Sequence, residues 1–125
     1  MSRVEKIALL GLFLALSTGF AQAAAYRLKV TSWSCQTFSR GAIVRGEVHN
    51  ISSRRIGEIR VHARVVGAGL RVAVNSAPIR TRSLAAGQRS TFEVQVRTNF
   101  EPGRCTVWFR NPRVIQIETL VPPPR

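Results

Sequence analysis

Few side chains in this 125-residue chain are suited to catalysis or metal binding. It has two cysteines, two histidines and six carboxylates, all of them glutamate, with no aspartate anywhere. His49 and His62 are isolated, and neither belongs to a set of three or four ligands of the kind a metal site needs. Serine and histidine are both present, but without aspartate and without a G-x-S-x-G elbow they do not make a nucleophilic triad. Paired-carboxylate hydrolysis would have to be assembled from scattered glutamates. The expectation is a protein that is not an enzyme, with no catalytic residues, no cofactor and no metal.

Cys35 and Cys105 are the only cysteines. Both fall in the inward phase of apparent strands, one near each end of the chain that follows the leader described below. An even count in an exported domain suits a structural disulfide; two buried thiols or a redox pair are the alternatives, the latter usually at closer spacing. The bridge would close a loop of 70 residues, the difference between positions 105 and 35. The chain-entropy estimate puts that at roughly 4 kcal/mol.

Arginine is the other abundant chemistry. The chain has 19 basic and 6 acidic residues; Met1–Ala25 contains two and one of these, leaving 17 and 5, a formal +12. Sixteen of those seventeen are arginine, whose planar fork suits bidentate contacts with carboxylate or phosphate. A field of this size attracts polyanions, although arginine richness is equally a compositional habit of some genomes. Arg60, His62, Arg64 and Arg71, with Arg45 and Arg97 as further members, form a candidate cationic face. Trp108, beside Arg110, is pushed outward by the inward phase of Cys105, Val107 and Phe109, and is the candidate anchor for a partner. The alternatives are that the last strand covers Trp108 or that Arg110 stacks on it. Trp33, two residues from Cys35, is expected in the core.

These residues need a scaffold, and the chain supplies strands. Met1–Ala25 is set apart as a leader. A charged start with Arg3, Glu5 and Lys6 precedes the apolar run Ile7–Phe20, and small residues then offer cleavage after Ala23 or Ala25. The run is short of the roughly 20 apolar residues that span a bilayer comfortably. Once the leader is removed no membrane span is expected, and the product would be periplasmic or secreted; an uncleaved anchor is the alternative. About 100 residues remain, enough for one core.

From Tyr26 the pattern alternates in steps of two. Leu28 and Val30 face one way, and the phase slips near Thr31-Ser32 as at a β-bulge before Trp33 and Cys35 resume it. Ala42–Asn50 reads as the central strand, with Gly46 marking a close approach and Asn50–Ser53 a turn. Ile59, Val61, Ala63 and Val65 alternate with Arg60, His62 and Arg64. Leu70, Val72 and Val74 read as inward with Arg71 outward, and Asn75–Pro78 as the break that ends that strand. Phe92, Val94 and Val96 face inward, Asn99–Gly103 is a turn, and Cys105–Phe109 and Val114–Leu120 are the last strands. Val121–Arg125 reads as a polyproline tail leaving the sheet. Seven strands and no helix predict an all-β, immunoglobulin-like antiparallel sandwich over Tyr26–Leu120 with one disulfide.

Over Val44–Val96 the chain resembles the FxLYD group of small bacterial immunoglobulin-like domains. Val44-Arg45-Gly46-Glu47-Val48-His49-Asn50 matches its V-x-G-x-V-x-N strand. Ile59–Val65 matches the alternating strand that follows, and Leu84–Gly87 with Phe92-Glu93-Val94 matches its L-x-P-G turn and next strand. Ala86 stands where proline is usual, and Val66-Gly67 stands near the place of the naming tyrosine-aspartate pair. The resemblance implies an envelope-located, non-catalytic domain without a cofactor. The expected partner is an envelope protein or an anionic envelope polymer such as lipopolysaccharide; nucleic acid fits poorly, because export separates the chain from it and no aromatic-rich recognition motif occurs.

Overall fold

The computed structural model describes residues 26–125, so the leader expected over Met1–Ala25 lies outside the described residues. Eight strands follow in chain order: β1 (Leu28–Phe38), β2 (Gly41–Asn50), β3 (Arg60–Gly67), β4 (Val72–Pro78), β5 (Arg89–Arg97), β6 (Pro102–Asn111), β7 (Val114–Ile117) and β8 (Thr119–Leu120). They form two four-stranded sheets, β5-β2-β1-β8 and β4-β3-β6-β7. The neighbours β1-β2-β5 in one sheet and β3-β6-β7 in the other are those of an immunoglobulin-like sandwich.

The inward side chains follow from the alternation. Val61, Ala63 and Val65 of β3, Phe92, Val94 and Val96 of β5, and Cys105, Val107 and Phe109 of β6 are all buried. Phe92 and Phe109 meet edge to face across the two sheets, their ring centroids 5.4 Å apart. The Cys35–Cys105 disulfide ties β1 to β6, one strand from each sheet, with the Cα atoms 6.2 Å apart.

The slip in β1 is a bulge: the register with β2 shifts between Val30 and Ser32, so Val30 and Trp33 are both buried. The extra residue, Thr31, turns its hydroxyl to Glu47 on β2, 2.9 Å away. Gly46 sits beneath Phe92 and Trp33. A Cβ there would lie 2.5 Å from the Phe92 ring and 2.7 Å from the Trp33 Cβ, so the position takes no side chain without displacing the core.

Three expectations are corrected. Asn75–Pro78 does not break β4; it forms the half of that strand paired with Arg60–Ala63. Val72 and Val74 do not face inward: they are 44% and 55% exposed, and Leu70 is 90% exposed, while Ala73 and Ala77 touch the core instead. The cause is the turn. Gly69 and Leu70 both take positive φ, 70° and 61°, and the chain re-enters the sheet one residue out of phase with the simple alternation.

The third correction concerns the last strand and the tail. Val114–Leu120 is two strands, because the chain passes from β7 in one sheet to β8 in the other. At the crossing, the Glu118 carbonyl accepts hydrogen bonds from the Arg27 and Leu28 amides at 2.9 and 3.1 Å. β8 then runs parallel to β1, and the tail stays with that edge rather than leaving it. The Trp33 indole N–H donates to the Pro122 carbonyl at 2.6 Å, and the Arg125 amide donates to the Trp33 carbonyl at 3.0 Å.

Candidate functional site

The outer face of β4-β3-β6 is where the predicted surface residues come together. The register sets Arg60 opposite Arg110, His62 opposite Trp108, Arg64 opposite Thr106 and Val66 opposite Arg104. On the other side of β3, the same four residues meet Pro78, Ser76, Val74 and Val72 of β4. Directly opposed residues share a sheet face, so these form one surface.

His62 and Trp108 stack, with ring centroids 5.5 Å apart and planes 17° from parallel. The expectation that Trp108 points away from the core therefore meets a covering group not foreseen for it, a histidine on the neighbouring strand. Trp108 is half-buried as a result. Burial, then the charges of Arg110 and Arg60, hold the His62 pKa below its ordinary value of 6.5. The imidazole is neutral at physiological pH, and its stack with the indole is one of two uncharged rings. Arg60 is steadied from β4, its Nη2 donating to the Ser76 hydroxyl at 3.2 Å.

The charge on this face is one-sided. Strands β3, β4 and β6 contain no aspartate or glutamate at all. The opposite sheet differs: Arg45 pairs with Glu93, and Arg89 lies 3.5 Å from Glu47. Arg45 and Arg97 therefore belong to the other side of the sandwich, on β2 and β5, and are not members of the cationic face. Arg71 is not a member either. It lies in the turn before β4, its carbonyl bonded to the Gly67 amide, and the outward positions beyond it are Val72 and Val74.

Arg104 joins the face although the sequence reading placed it outside a strand. It continues the row Thr106, Trp108, Arg110 in steps of two, a signal that was present but masked by the turn-like Glu101-Pro102-Gly103. The His62–Trp108 pair had no local signal, since it depends on the β3–β6 register.

Among the described residues no three histidine, cysteine or acidic side chains are grouped to hold a metal ion, and no helix is long and apolar enough to cross a membrane. No protein-family model matches the chain, and a search of curated proteins finds no significant match.

Proposed function

We propose that this protein is a non-enzymatic binding module of the cell envelope that holds a protein partner through the outer face of β4-β3-β6. One observation carries the reading: a half-buried tryptophan, stacked on a neutral histidine, stands among Arg60, Arg64, Arg104 and Arg110 on strands that carry no carboxylate. Tryptophan and arginine are the residues that most often dominate protein interfaces, and the exposed Val72 and Val74 beside them add apolar area. The complementary surface would be acidic with an apolar centre. The envelope location rests on the leader pattern and on the likeness to FxLYD domains.

The test is retention of host envelope proteins on the immobilised protein, eluted in rising salt. The expected result is one protein held in near-equal amount through high salt and lost with Trp108→Ala. A second reading is favoured by the uncompensated charge alone: an electrostatic binder of anionic envelope polymers such as lipopolysaccharide. It predicts broad retention that collapses at moderate salt and weakens additively as arginines are removed, with no particular dependence on Trp108.

A further inference from the structure

Beyond the His62–Trp108 pair, the same face ends in a shallow depression of about 680 Å³ bordered by Arg64, Val66, Gly67, Gly103, Arg104 and Thr106. Its shape comes from the backbone. The β3–β6 register shifts between Val66 and Gly67, where Arg104 and Pro102 are their successive partners, so Gly103 is an extra residue in β6. A bulge of this kind twists a strand and re-aims the side chains next to it. Gly103 lies flat against β3, where a Cβ would come 3.0 Å from the Val66 carbonyl oxygen.

Two cations flank this low floor on adjacent strands. Both are exposed, and among the described residues neither the Arg64 nor the Arg104 guanidinium makes a hydrogen bond or ion pair. Thr106, a hydroxyl-bearing residue, borders the same depression directly opposite Arg64. We infer that the Arg64–Arg104 depression is an oxyanion subsite which, on the reading proposed above, receives a carboxylate from an acidic segment of the protein partner. Two forked donors suit a carboxylate's paired oxygens, and a hydroxyl supplies a further donor. The open shape suits an anion carried on a chain better than a free ion, which would remain hydrated there.

The probe is acetylated tetraglutamate, with tetraglutamine and inorganic phosphate for comparison, titrated into the protein at constant ionic strength and followed by amide NMR. Tetraglutamate is expected to move the Gly67, Gly103 and Thr106 amides saturably, and tetraglutamine to leave them in place. Arg64→Gln or Arg104→Gln should each weaken the binding about tenfold, the scale of one charge-assisted contact, whereas Arg45→Gln on the opposite sheet should leave it unchanged. All three are surface substitutions, so folding is preserved and is checked in the same spectra. Equal weakening by Arg45→Gln would overturn the subsite in favour of net charge alone. Saturation by phosphate at lower concentration than by tetraglutamate would overturn the carboxylate assignment.

The envelope retention experiment separates the two levels. If a partner is lost with Trp108→Ala yet held by the Arg64→Gln/Arg104→Gln double variant, the subsite falls and the binding face stands. If tetraglutamate binds as expected but no protein is retained, the protein-partner reading falls and the subsite stands.

Discussion

Asn50 closes β2, and its side chain is fully buried and fully engaged. Its Nδ2 donates to the carbonyls of Arg54, Leu84 and Ala85 at 2.8, 3.0 and 3.2 Å, and its Oδ1 accepts from the Ser52 amide and hydroxyl at 3.0 and 2.7 Å. One carboxamide thus ties together two loops that are far apart in the sequence. Asn50→Ala would remove all five bonds from a fully buried site and take away the acceptor of the Ser52 amide. The three carbonyls each keep one donor, the Ser52 hydroxyl, the Ile56 amide and the Gln88 amide, so the expected loss is about 1–3 kcal/mol. Urea unfolding of the oxidised protein reads it directly; a loss under about 0.5 kcal/mol would mean that water replaces the carboxamide. The exposed pair that Arg45 of the same strand makes with Glu93 of β5 should be worth under about 1 kcal/mol by the same measurement. The local sequence identified Asn50 as a turn residue, but the Leu84 loop that it pins lies 34 residues away, beyond the reach of any local pattern.

At the scale of elements, the same limit recurs in a definite form. Strands β3 and β5 and the Cys105–Phe109 part of β6 were legible because their residues alternate between core and solvent, and Gly46 was legible because a glycine inside such a strand marks crowding. The phase of β4 was not, because apolar Val72 and Val74 are the outward residues and two positive-φ positions in the turn decide their side. Arg60, His62, Arg64, Trp108 and Arg110 were individually visible, Arg104 was not, and which of them are neighbours depends on the register between β3 and β6. That register has a measurable consequence at His62, which faces Trp108 and Ser76 directly and Arg60, Arg64 and Arg110 nearby. Its folded pKa is depressed by burial and by Arg110 and Arg60. As pH falls through the ordinary value of 6.5, the unfolded chain takes up a proton before the folded one, so the stability contribution is complete above 6.5 and is lost as pH drops through the folded value. Urea midpoints compared at pH about 7.5 and about 5.5 should fall for the native protein and fall less for His62→Gln; equal slopes would remove His62 as the cause.

Across the whole molecule, the disulfide is the one side-chain cross-link between the sheets, and it closes a 70-residue loop that contains most of the strands. Cys35→Ser/Cys105→Ser is expected to lose about 4 kcal/mol, a large part of what a domain of this size has in hand. Thermal melts of the oxidised and the double-serine forms give the comparison, and coincident melts would contradict the estimate.

The crossing at Glu118 bears on how the domain meets mechanical load. Because β8 runs parallel to β1, tension drawing residues 26 and 125 apart slides the two strands past one another instead of peeling them. The Glu118 contacts, the Trp33–Pro122 bond and the Arg125 amide must then yield together rather than in sequence. Should they give way, the pull passes through the sulfur–sulfur link from β1 to β6, and the chain between the cysteines carries none of it. A domain built this way resists stretch as a clasp does, and once it opens the load runs through β6, the strand of Trp108 and Arg110, while β2, β3, β4 and β5 are spared.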